Sequence, residues 1–92
     1  MIKYAIYLKF PRGCTPAIID GAETDSIPKV LKIVKVLLEK HKDTLLTLCV
    51  TTIEDTIPKK TIALAYNPYI GIHLVLSTLQ KLIYPKKIKT RG

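Results

Sequence analysis

Catalytic machinery, metal ligands and long apolar runs are what this 92-residue chain lacks. Its two cysteines, Cys14 and Cys49, lie 35 apart with no CxxC or Cys/His spacing. That is too few for a disulfide scaffold, and zinc ligands come in pairs; a loop thiol at Cys14 and a buried thiol at Cys49 are expected instead. No stretch reaches the roughly eighteen uninterrupted apolar residues of a membrane span. The nearest, 69–79, is broken by Gly71, His73, Ser77 and Thr78. There is no glycine-rich phosphate loop and no serine or cysteine nucleophile signature. His73 has no carboxylate or cysteine three or four residues away, and His41 stands among lysines as a solvated helix-end residue. Glu54-Asp55 reads as a hairpin cap rather than a metal site. A non-catalytic chain with no cofactor and no metal is the expectation. The opening "MIKYAIYLKF" alternates apolar residues with lysine instead of forming an apolar run, so no secretory leader is expected and a cytoplasmic location is.

What is present suits one small domain. Hydrophobic residues make up 48% of the chain, ample for a core, and 92 residues leave no room for a second one. The domain is expected over 1–84, with a basic tail at 85–92. A net charge of +8, carried almost wholly by lysine, points to an acidic partner, with nucleic acid the default. A single asparagine and a single glutamine beside abundant isoleucine and lysine match the bias of proteins from hot habitats, as in thermophilic archaea.

Residues 2–10 alternate cleanly, Ile2, Tyr4, Ile6, Leu8 and Phe10 on one face and Lys3, Ala5, Tyr7 and Lys9 on the other, as in a half-buried strand. Pro11, Arg12 and Gly13 end it. Residues 11–26 read either as a loop or as one holding a short helical turn after Thr15-Pro16. In "SIPKVLKIVKVLLEKHK", Val30, Ile33, Val34, Leu37 and Leu38 form a helical stripe, with Ser26 as N-cap and Pro28 in the first turn. The β-branched content of 31–39 keeps a strand open there. "TLLTLCVTTIED" returns to period two with Leu46, Leu48 and Val50 on one face. "DTIPKK" then serves as a connector, and "TIALAY" turns Ile62, Leu64 and Tyr66 inward. The two strands form a hairpin with a longer loop. Asn67-Pro68 fits a helix start, asparagine capping and proline in the first position, with Ile72, Val75, Leu76, Leu79, Leu82 and Ile83 as the core stripe and Pro85 as the stop. A long helix from about Pro58, kinked at Pro68, is the alternative.

The predicted order is β-α-β-β-α, an α+β fold with a three-stranded antiparallel sheet and two helices on one face. A right-handed crossover sets the first strand parallel to the second, with the third slipping between them. The open face of that sheet is flat and poor in charge, and Tyr7, Thr47, Cys49, Thr51 and Ala63 are its candidate self-association residues. Tyr7 is the lone aromatic there, fewer than the two or three that an RNA-stacking platform uses. On the last helix Ile70, Leu74, Thr78 and Lys81 form a second flank able to receive a partner helix. Arg12, Lys59, Lys60, Lys86, Lys87, Lys89 and Arg91 are the candidates for neutralising phosphates without reading sequence.

A first strand closing in "LKFP", an acidic turn "IED" about forty residues on, and a final apolar segment "NPYIGIHLVLSTL" resemble the small dimerising subunit of the KEOPS complex. That family shares the strand-helix-strand-strand-helix order and often carries an Asn-x-Tyr triplet in its last helix, which Asn67-Pro68-Tyr69 matches. The chain departs from the family at Pro68, inside a triplet that the family's helix runs straight through, and in a helical pattern that starts only near residue 28. The resemblance implies a non-enzymatic subunit of the assembly that places threonylcarbamoyl groups on adenosine of certain tRNAs. It also implies a homodimer or a heterodimer with a paralogue. Ile70, Leu74 and Thr78 would then hold the transferase subunit, and Lys59, Lys60 and the tail would help grip tRNA. The alternative is a free-standing basic nucleic-acid-binding domain of an archaeal or viral protein. An enzyme built on the 11–26 segment would need a deep pocket lined by Asp20, Glu23 or Asp25.

Overall fold

A computed structural model describes residues 1–11 and 18–84. The elements run β1 (Ile2–Lys9), β2 (Ile18–Thr24), α1 (Ile27–Lys40), β3 (Leu46–Glu54), β4 (Ile57–Tyr66) and α2 (Ile72–Ile83). The class is α+β, but the expected three strands are four, in the order β2-β1-β3-β4 with every neighbouring pair antiparallel. The added strand is β2, inside the segment read as either a loop or one holding a short helical turn. Its insertion changes the topology. Because β1 is antiparallel to both β2 and β3, it is β2 and β3 that run parallel, joined through α1 with β1 between them. The crossover argument therefore applies to β2-α1-β3, and the final strand lies at the sheet's edge instead of its middle.

The period-two pattern delivers the core. Ile6 and Leu8 of β1, Leu46, Leu48 and Val50 of β3 and Tyr66 of β4 face the helices. Against them pack Val30, Val34, Leu37 and Leu38 of α1 and Val75 and Leu79 of α2. Residues 31–39 are helical, as the i, i+3, i+4, i+7 stripe requires; Ile33 and Val34 pack into the interface, while Val36 stays exposed. Ser26 is the N-cap residue of α1 and Pro28 stands in its first turn, while the His41 N–H closes its end onto the Leu37 and Leu38 carbonyls. Both helices share one face: α1 lies over β1 and β2, α2 over β4, and the two helices touch.

Two local expectations are corrected. The β3–β4 connection is a two-residue turn, Asp55-Thr56, with both residues at positive φ (51° and 69°), as a tight hairpin requires. Pro58, Lys59 and Lys60 therefore belong to β4, and a ladder irregularity between Thr52 and Ile53 lies beside the proline. On an edge strand proline is tolerated because one side of the backbone has no ladder to complete. The second correction concerns Pro68. It neither starts nor kinks α2, which begins at Ile72. The Asn67 side-chain oxygen accepts the N–H groups of Tyr69 (2.8 Å) and Ile70 (3.0 Å), so asparagine caps a separate turn over 67–70. Gly71, at φ 85° and ψ 158°, then redirects the chain into the helix. That conformation belongs almost solely to glycine.

Candidate interaction surface

The α2 flank is assembled from two elements. Ile70 arrives from the capped turn, while Leu74 and Thr78 lie one helical turn apart on α2, so the three side chains line up along one side of the helix. With Leu64 and Ala65 of β4 and the edge of Val75 they surround a shallow hollow. Leu74 is 57% exposed although the hollow is apolar, and the Thr78 hydroxyl is satisfied by donating to the Leu74 carbonyl at 2.9 Å. The flank read from the sequence is thus brought together, with Lys81 exposed one turn beyond Thr78. Leu64, expected to face inward, and Ala65, expected on the open face, were not assigned to this flank because the final strand was expected in the middle of the sheet. Among the described residues no further strand pairs with the outer edge of β4.

The self-association candidates share the helix-free face of the sheet. Tyr7, Cys49 and Ala63 stand in one row across β1, β3 and β4. Cys49 is a buried free thiol, as expected, and Thr51 is buried beside it; Tyr7 and Thr47 are half-buried and Ala63 exposed. The hydroxyls of Thr51 and Thr61 bond at 2.9 Å, and the Tyr7 hydroxyl reaches Thr51 at 3.4 Å. These hydroxyls thus bond to one another within the chain at the centre of the face.

Of the basic candidates, Lys59 and Lys60 are exposed on β4. Arg12, Lys86, Lys87, Lys89 and Arg91 lie outside the described residues. Among the described residues the ion pairs are the N-terminal amine with Asp55 (2.8 Å) and Asp20 with Lys40 and His41 (3.2 Å each), so none engages Lys59, Lys60 or Lys81.

Among the described residues, Asp20 and Glu23 have different surroundings. Asp20 is taken up by His41, by Lys40 and by the Gly21 N–H at 2.9 Å, and these contacts, His41 first, hold its carboxyl below the ordinary aspartate range. Glu23 borders an open hollow with Met1, Lys3, Ile53, Asp55 and Thr56 at the hairpin end of the sheet. His41 is therefore not simply solvated: its ring is half-buried against β2. A further hollow, between the end of α1 and the start of α2, runs past Lys35, Glu39, Asp43, Tyr66 and His73. There Tyr66 donates to the Lys42 carbonyl at 2.6 Å, and burial, with the nearby Asp43 carboxylate second, pushes its hydroxyl above the ordinary tyrosine value.

Among the described residues no group of three or more His, Cys, Asp or Glu side chains is placed to hold a metal ion, and no helix is long and apolar enough to cross a membrane. Compared with family models, curated proteins and solved structures, the chain matches none.

Proposed function

We propose that this chain is a non-catalytic adaptor subunit that presents the α2 flank to a protein partner. The observation supporting it is the convergence of Ile70, Leu74 and Thr78 on an apolar hollow beside an edge strand, where a partner finds exposed apolar side chains and an unpaired backbone together. The sequence resemblance supplies the specific partner: the transferase subunit of a tRNA threonylcarbamoyladenosine assembly. In that setting Lys59 and Lys60, at the other end of β4, contribute positive charge toward tRNA phosphates.

Capture of the tagged chain and its Leu74→Glu variant from native host lysate, each with and without nuclease treatment, tests this reading. Recovery of the transferase subunit by the parent chain after nuclease treatment, and its loss with Leu74→Glu, is the expected result. Recovery of nucleic acid and its usual companions alone, lost on nuclease treatment, would overturn the adaptor reading and leave a basic nucleic-acid-binding domain.

A further inference from the structure

The two edges of the sheet carry opposite charge at the same end. Along the hydrogen-bonded rows, Thr24 of β2 is level with Tyr4, Thr52 and then Lys60 of β4, and Glu23 is level with Ala5, Thr51 and Thr61. So Glu23 and Asp25 flank one edge where Lys59 and Lys60 flank the other, and all four are exposed. Among the described residues none of the four is in an ion pair. The helices repeat the asymmetry with apolar groups. Lys40 reaches Asp20 on β2, so the stripe Ile33, Val36, Lys40 borders the β2 edge, and Val36 on it is 61% exposed. At the β4 edge the corresponding exposed apolar residue is Leu74.

Strand direction makes these edges compatible. Four strands in alternating direction leave β2 and β4 antiparallel to each other. A second copy displaced sideways, helices on the same face, thus brings its β2 antiparallel against β4 of the first. In the level register its Glu23 stands opposite Thr61 and its Asp25 follows beside the ladder irregularity at Pro58 and Lys59, so Lys59 comes nearest both carboxylates, while Lys60, level with Thr24, lies on the opposite face from Glu23. Its α1 comes alongside α2, Val36 toward Leu74.

We propose that the occupant of the β4 edge is the β2 edge of a second copy, in a head-to-tail contact that leaves one free β4 edge and one free β2 edge on the pair. The contact is heterologous, so it continues as an open chain of copies instead of closing as a two-fold dimer. It competes with the adaptor reading for the β4 edge, for Leu74 and for Lys59 and Lys60, all of which the contact covers on every copy except the one at the free β4 end.

Two charge reversals test it by sedimentation velocity over a range of concentrations: Lys59→Glu with Lys60→Glu, which spoils the β4 edge, and Glu23→Lys with Asp25→Lys, which spoils the β2 edge. The unaltered chain is expected to form species that grow with concentration and shrink with added salt. Each reversed variant is expected to stay monomeric alone, because both of its edges then carry the same sign, and their equimolar mixture to regain growth, because the acidic edges of one attract the basic edges of the other at both contacts. Val36→Lys and Leu74→Lys form a second complementary pair if either charge reversal fails to fold by circular dichroism. A monomer at every concentration, a closed dimer, or self-association of either variant alone to the extent of the parent chain would overturn the proposal. Glu23→Lys/Asp25→Lys alters the β2 edge, which the adaptor reading does not use, so capture of the transferase subunit by that variant separates failure here from failure of the adaptor reading.

Discussion

Nε2 of His41 lies 3.2 Å from Oδ2 of Asp20, tying the C-terminal end of α1 to the edge strand β2. An ionised carboxylate only accepts, so the imidazole donates from Nε2. Asp20 is held below the ordinary aspartate pKa by His41, Lys40 and the Gly21 N–H. A carboxyl depressed in the folded state stabilises the fold above its unfolded pKa of about 3.9, and that contribution is lost as pH falls through the folded value. Replacing Asp20 by Asn removes it. The stability difference between the parent chain and Asp20→Asn is expected to narrow as pH falls below about 4, measured by urea unfolding across pH. A difference that fails to narrow there would refute this assignment.

Leu74 and Leu79 occupy one helix and differ in surroundings: Leu79 is fully buried against the sheet and Leu74 is more than half exposed. Leu79→Ala is expected to cost about 2–5 kcal/mol through lost burial and the cavity left behind. Leu74→Ala is expected to change stability by no more than about 0.5 kcal/mol. Denaturant midpoints of the two variants check the contrast, and a large loss at Leu74 would mean that the flank is part of the core.

The sequence made the interior legible and left the edges obscure, for a physical reason. β1, β3 and α1 are each buried along one continuous face, so their apolar residues must repeat at the period of the element. β2 has no such obligation. As an edge strand with Gly21 and two acids it shows no alternation, and its burial follows none. Missing it misplaced β4, which hid the open edge beside Leu64 and Ala65. Asn67-Pro68 misled in a different way: asparagine does cap, but it caps a turn, and the signal for the true helix start is Gly71. On the site, Leu74 and Thr78 were readable as a flank because helical spacing aligns them, whereas Ile70 reaches it from the turn before Gly71. His41's partner was not readable, since nothing in the spacing announces a contact between residues 20 and 41.

Thr56 is a β-branched residue at φ 69°, a conformation that crowds its side chain against the backbone. Its position, second in a two-residue hairpin turn, favours glycine. Thr56→Gly is expected to stabilise the protein by about 1 kcal/mol, the relief of a left-handed conformation exceeding the entropy that glycine adds to the unfolded chain. Thermal unfolding checks it, and a lowered midpoint would count against the turn geometry.

Gly71 and Gly21 resist substitution for unrelated reasons. A Cβ at Gly71 meets nothing within 4 Å, so the cost of Gly71→Ala is confined to the backbone at φ 85°. About 1–3 kcal/mol is expected. At Gly21 the obstacle is space: a Cβ would lie 2.9 Å from the Ile6 carbonyl oxygen and 3.2 Å from the Tyr7 Cβ on the neighbouring strand. Gly21→Ala must therefore push β2 away from β1. Amide exchange separates the two effects, with Gly21→Ala expected to accelerate exchange along β1 and β2, and Gly71→Ala to leave those strands protected.

Tyr66 ends β4 by donating its hydroxyl to the Lys42 carbonyl, which anchors the strand to the segment between α1 and β3. Tyr66→Phe deletes that bond at a cost of about 1 kcal/mol near neutral pH. Burial, with Asp43 second, raises the pKa of this hydroxyl in the folded state. For a group shifted upward, the stabilisation is complete below the unfolded pKa of about 10 and fades as pH climbs through the folded value, because the phenolate cannot donate and is poorly solvated there. The parent chain therefore loses a contribution at high pH that Tyr66→Phe never had. Unfolding free energies of the two proteins are expected to converge above about pH 10. The other tyrosines and the lysines titrate in both and cancel in the difference. A gap that stays constant to pH 11 or so would show that Tyr66 ionises no less readily in the fold than in the unfolded chain.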